Sequence, residues 1–164
     1  MSRFERETRI TEFLLGTVNK VVPEIDPAKM LDRPTDAHNP PAWILGHLAV
    51  VADRGLMMLG RERCTPEDWD ALFLPGTQPP ARGAAVPARD ELLAAVNRGY
   101  TALIGAAREA DLRALERPHG VGLLANTPIR TAADLLAHVL TSHFSLHMGQ
   151  LSYWRRWAGF APLF

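Results

Sequence analysis

The apolar positions of the chain fall into four long stretches of helical period, separated by segments rich in proline and glycine. In the first, about residues 2–22, Phe4, Ile10, Phe13, Leu14, Val18, Val21 and Val22 recur at helical spacing. Ser2 and Glu5 form a capping-box pattern at its start, and Pro23 and Pro27 stop it. The second starts after Asn39, a good N-cap, with Pro40 and Pro41 in the first turn, where a missing N–H costs little. It runs through Trp43, Ile44, His47, Leu48, Val51 and Met58 to about Gly60. The third, about residues 88–115, carries Leu92, Leu93, Val96, Tyr100, Leu103 and Ile104 as its stripe. The fourth opens on Thr131 and Asp134, another capping-box pair, continues to about Ala158 and ends at Gly159.

No strand alternation survives between these stretches, although residues 120–125 have room to be extended. The pattern predicts an all-α fold, a four-helix bundle with long connections, in a single domain over residues 1–164. Long connections permit crossovers, so simple up-down-up-down order is not required. Residues 65–87 form a connection of a length uncommon without a role. Trp69, Leu72, Phe73 and Leu74 can dock a short helical turn from it onto the body, and the segment is expected to border the entrance of any site.

Composition narrows the classes. The chain has 164 residues, with 18 basic and 18 acidic side chains and a net charge of zero. That balance argues against a general nucleic-acid binder. The single cysteine, Cys64, excludes an internal disulfide framework and fits a reducing, cytoplasmic compartment. No signal-peptide pattern precedes the first helix. The stretch from 135 to 154 has no charged residue and the length of a membrane span. Its content is wrong for lipid, because it holds His138, Thr141, Ser142, His143, Ser145, His147, Gln150 and Ser152.

Those histidines give the stretch another meaning. An α-helix advances about 100° per residue, so His147 lies about 40° from His143 and Gln150 about 20° on the other side. Leu136, Val139, Leu140 and Trp154 fall within about 60° of the same direction. Two imidazoles one turn apart thus occupy the apolar stripe, where each must find a partner. The pair fits either one shared metal ion or separate hydrogen bonds across the bundle. His138 is displaced by about 140° and falls on the solvent face. His47 lies on the apolar stripe of the second helix and is the candidate third ligand; alone it fits equally a hydrogen-bonded core histidine. Three imidazoles on one cation leave a coordination position open, as catalytic sites do. His38 and His119 sit in loops and fit surface or turn roles. Phe144 follows His143 where the zinc-protease helix motif needs a glutamate, which removes a protease reading.

Two blocks carry a family resemblance. Trp43, Gly46, His47 and Leu48 match a Trp-x-x-Gly-His-Leu segment, and His143, His147, Gly149 and Gln150 match a His-x-x-x-His-x-Gly-Gln segment on the last helix. In this order and spacing the chain resembles the DinB/YfiT-like family of metalloenzymes. The resemblance implies a four-helix bundle whose divalent metal, zinc or nickel, is held by His47, His143 and His147. It also implies a homodimer and, as in several members, transfer of a low-molecular-weight thiol such as bacillithiol or mycothiol to a small-molecule substrate. It implies neither nucleic-acid nor membrane binding. In that setting Gln150, one turn after His147, is expected to position a water or a neighbouring group, or to make an interhelical hydrogen bond. Arg54, near the direction of His47, is expected either to bind a substrate carboxylate or to form an internal ion pair. Trp43 and Trp154 are expected in the core, and Arg155 and Arg156 on a solvated face. Cys64 has no adjacent histidine and is an unsupported nucleophile, and Asp53 points about 120° away from His47. The competing readings are a metal-hydroxide hydrolase on the same histidines and a non-enzymatic, dimeric helical binding protein.

Overall fold

Helix formation follows the apolar periods closely, with informative departures at their ends. The computed structural model describes residues 4–161. The four long elements are α1 (Glu5–Val21), α2 (Pro41–Met58), α4 (Arg89–Glu109) and a composite last helix. The last is built from α6 (Ala132–His138), a π-helical turn (Val139–His143) and α7 (Phe144–Trp157). Two short helices, α3 (Trp69–Phe73) and α5 (Leu112–Leu115), lie in the connections. Among the described residues there is no strand, only an isolated bridge between Pro118 and Thr131; residues 120–125 hold a 3-10 turn at Gly122–Leu124 rather than extended chain.

The long elements pack in a crossed order. α2 lies against α4 and α7, and α1 against α4 and α7. Sequence neighbours α1 and α2 therefore stand on one diagonal, and α4 and α7 on the other. The connection from 22 to 40 and that from 110 to 131 each cross the end of the bundle, which accounts for their length. Across the second diagonal the rings of Tyr100 and Phe144 meet, 4.5 Å between centroids.

α2 is the central element. Every residue from Pro41 to Leu56 except Arg54 is buried, so it has no solvent face of ordinary width. Glycines allow this closeness. A Cβ at Gly55 would lie 2.9 Å from Leu103 Cδ1, and one at Gly99 would lie 3.0 Å from Ala52 Cβ. Beyond the helix, the buried Asp53 carboxylate accepts from the backbone N–H groups of Cys64 and Thr65 and from the Thr65 hydroxyl. Asp70 takes Arg54 at 2.6 Å and Arg63 at 2.9 Å. These bonds staple residues 63–70 to α2 and carry α3 onto the bundle, as the apolar residues of that segment predict.

Several expectations are corrected. Ser2 lies outside the described residues; α1 begins at Glu5 with Phe4 before it and no side-chain cap. Its inner face includes Thr8 and Thr11, while Ile10 and Phe13 are exposed. Threonines can be buried there because both hydroxyls donate to carbonyl oxygens, Thr8 to Glu5 and Thr11 to Glu7 and Leu140. Pro40, not Asn39, occupies the N-cap of α2. The third stretch breaks after Glu109, and Asp111 caps α5 through its bond from the Arg113 N–H. Arg155 is buried rather than solvated. Its guanidinium donates to Val21 O at 3.1 Å and to Glu24 at 2.7 Å and lies 4.7 Å over the Phe160 ring. The capping box of Thr131 and Asp134 is present as expected. No helix among the described residues is long and apolar enough to cross a membrane.

Among the described residues the core carries a polar fault at Tyr100. The hydroxyl of Tyr100 is fully buried and has no hydrogen-bond partner, and burial drives its pKa far up. Tyr100→Phe keeps the ring against Phe144 and removes the orphaned group. The substitution is expected to raise stability by about 1 kcal/mol, read as a higher urea midpoint at unchanged slope.

Candidate metal centre

His47 is set by its neighbours on two sides. The Trp43 ring, one turn earlier on α2, stacks on its imidazole at 4.5 Å and 8°. On the other side α3 comes close because residue 46 is glycine. A Cβ at Gly46 would sit 2.5 Å from the Phe73 ring. With only hydrogen there, Phe73 settles onto α2 and its backbone oxygen accepts the His47 Nδ1–H at 2.6 Å. This bond fixes the tautomer and leaves the Nε2 lone pair free. The same loop is tied to the aromatic wall: Trp43 Nε1–H donates to Thr77 Oγ1 at 3.1 Å. Residues 65–77 thus border the site, as expected of the long connection.

His147 is treated alike. Its Nδ1–H donates to Gln150 Oε1 at 3.0 Å, and the Asn39 amide donates to the same oxygen at 3.4 Å. Gln150 therefore positions His147 and ties the last helix to the connection before α2, and Asn39 gives its side chain to that tie instead of to a helix cap. His143 ends the π-helical turn. Its Nε2 lies 3.1 Å from His47 Nε2. The three rings lie 4.5–5.2 Å apart, and one nitrogen from each falls within 4.8 Å of the others.

The donor set fits a divalent cation. Two adjacent nitrogens on a cation with bonds of about 2.0–2.1 Å stand about 2.9–3.4 Å apart, which brackets the His47–His143 separation. Two neutral imidazoles presenting lone pairs to each other at that distance repel unless a proton or a metal ion lies between them. The Nδ1 atom of His143 is buried without a hydrogen-bond partner. All three imidazoles are held neutral. Burial is the main cause of the fall in each pKa, taking His143 to about 2 and His147 to about 4, and the neighbouring rings add to it for both. For His47 the Phe73 carbonyl partly opposes the effect of burial. Neutral imidazole is the form that binds metal.

The other sequence-selected residues fall outside this cluster. Arg54 forms the Asp70 ion pair, the internal alternative weighed for it. Asp53 caps the following loop, away from the histidines. Burial and the Asp53 carboxylate push the Cys64 thiol up, away from thiolate. His119 orders its own turn, facing Ile129 O and accepting from Val121 N–H. His38 bonds Thr35 Oγ1 and stacks on Tyr153. Trp43 and Trp154 are buried, the latter donating to Asp32 O at 2.7 Å. His138 needs correction. It is half-buried, and its ring stands edge-on to His143 at 5.6 Å. A π turn advances less per residue than an α turn, so it brings His138 back toward the side of His143.

Sequence reasoning missed the Phe73 carbonyl, Asn39 and the π turn. Only Gly46 advertised the first, as a residue without a side chain in an otherwise bulky, buried helix. A backbone acceptor leaves no mark on residue type.

Residues 11–151 match the family described as the DinB superfamily. None of the curated proteins compared with the chain matches it.

The buried imidazoles predict acid sensitivity with a definite sign. Their folded pKa values lie below the ordinary 6.5, so the unfolded chain binds protons that the folded chain refuses. Their contribution is fully present above pH 6.5 and is lost as pH falls toward about 4 and then about 2. Metal-free protein should show urea midpoints that fall from pH 7 to pH 4.5. A His143→Phe/His147→Phe variant should show a shallower fall; equal slopes would contradict the assignment.

Proposed function

The chain belongs to the DinB superfamily, and on that footing we propose that it is a divalent-metal-dependent enzyme that transfers a low-molecular-weight thiol to a small electrophilic substrate. The observation that carries the reading is the pair of committed Nδ1–H groups. Phe73 O and Gln150 Oε1 hold His47 and His147 in the tautomer that aims Nε2 inward, and His143 Nε2 meets them there. With both Nδ1–H groups committed outward, His47 and His147 turn their Nε2 lone pairs toward His143, an arrangement that a shared cation satisfies.

A divalent cation, zinc or nickel by the family resemblance, would supply Lewis acidity that lowers the pKa of a thiol or water. His47, His143 and His147 would hold it without adding negative charge, which would favour an anionic sulfur there. The sulfur forms the new bond to an electrophilic carbon, the thiol proton passes to solvent, and the leaving group departs with its electron pair. Trp43 and the 65–77 segment exclude water from the His47 side, and Gln150 orients His147. Arg54 is assigned the holding of Asp70 rather than a substrate. A cytoplasmic homodimer completes the proposal. Exposed Ile10 on α1 and Leu146 and Tyr153 on α7 give a second copy apolar surface to cover.

Protein purified without a histidine tag should carry a stoichiometric divalent metal, measured by mass spectrometry of the elements. His143→Ala should reduce it to background. With metal present, thiol and electrophile should disappear in equal amounts. Loss of the electrophile without thiol would replace the transferase with a metal-hydroxide hydrolase. Equal, negligible metal in wild type and His143→Ala would remove the enzymatic reading.

A further inference from the structure

Each of the three converging imidazoles needs something to hold it, and only two have a hydrogen bond at Nδ1. His47 has the Phe73 carbonyl and His147 has Gln150; the Nδ1 of His143 has no partner. The ring of His143 is therefore placed by its backbone. That backbone is the last residue of the π-helical turn Val139–His143, a departure from the α-helix on either side. π turns are rare and do not persist without compensation, since they stretch the hydrogen-bond ladder by one residue.

The compensation comes from α1. Thr11 is fully buried, and its hydroxyl lies 2.6 Å from the carbonyl oxygen of Leu140, inside the turn, and 2.9 Å from Glu7 O on its own helix. The shorter contact goes to the turn. Leu140 is itself fully buried, so no water is available to its carbonyl. Thr8, one turn earlier, is a built-in contrast. It is equally buried, but among the described residues its hydroxyl bonds only Glu5 O of the same helix.

We propose that Thr11 is a positioning residue of the metal centre: its hydroxyl holds the π turn at Leu140 and thereby sets His143 against His47 and His147. The inference rests on the metal-site reading and goes beyond it, because it assigns a role to a side chain on α1, a helix that supplies no ligand. It acts through the backbone of another residue and touches no substrate.

The test uses the full-length protein loaded with cobalt(II), whose visible ligand-field spectrum reports coordination directly. Thr11→Val keeps the shape and removes the hydroxyl, Thr11→Ser keeps the hydroxyl, and Thr8→Val makes the same change where no tertiary acceptor exists. Thr11→Val is expected to shift the spectrum and weaken cobalt binding about tenfold to a hundredfold in chelator competition, the usual effect of removing a group that orients a ligand. Thr11→Ser should restore both, and Thr8→Val should leave both at wild-type values. Normal cobalt binding by wild type together with an unchanged spectrum and affinity in Thr11→Val would overturn the proposal and leave the metal site standing. So would a loss in Thr8→Val equal to that in Thr11→Val, which would mark a general effect of softening α1. Failure of wild type itself to bind cobalt would sink the metal-site reading and this inference together. If Thr11→Val does not fold, Thr11→Ser and Thr11→Ala decide the matter on the same spectrum: failure of the spectrum to follow the presence of the hydroxyl overturns it.

Discussion

A buried imidazole has two nitrogens to satisfy, and much of this fold answers that requirement for His47 and His147, leaving the Nδ1 of His143 without a partner. One nitrogen of His47 is given to a carbonyl from α3, and one of His147 to an amide from the same helix that is braced by Asn39. Once those are committed, the remaining nitrogens face inward with lone pairs. Neutral rings brought together in this way attract a cation more strongly than they attract one another. Among the described residues no carboxylate joins the three histidines, and Asp53, the buried acid of α2, spends its oxygens on the following loop.

The bundle's topology serves the same end. α2 and α7 are in contact, yet the chain reaches one from the other only through α3, α4, α5 and α6. The first connection crosses a diagonal and delivers Asn39 to Gln150; the second, from α2 to α4, drops Phe73 onto Gly46. The connections are thus parts of the site's supporting shell, and their proline-rich composition suits segments that must take fixed paths without regular hydrogen bonding.

Much of this was written in residue types and spacing. Four apolar periods gave the helices, and the phase of His143, His147 and Gln150 put them on the inner wall together. The departures arise where the deciding contact is tertiary. Phe13 has the right residue type and spacing for burial, yet Thr11 takes the inward position, where its hydroxyl reaches the Leu140 carbonyl of the last helix. Arg155 reads as a surface charge until Val21 O and Glu24 enclose it. The π turn was invisible because an extra residue in one turn changes no composition. It only rotates what precedes it, and so His138 was assigned to solvent on an angle measured for an ideal helix.

The separation of the ligands along the chain has a thermodynamic side. His143 and His147 are neighbours in any helical fragment, but His47 is 96 residues from His143. An unfolded chain offers a cation two of its three nitrogens at most without closing a very long loop. A metal ion that requires all three discriminates between folded and unfolded chains, and the free energy of its binding becomes free energy of folding. Such an ion would act as a fastener between α2 and the last helix, and its supply would set how stable the assembled bundle is.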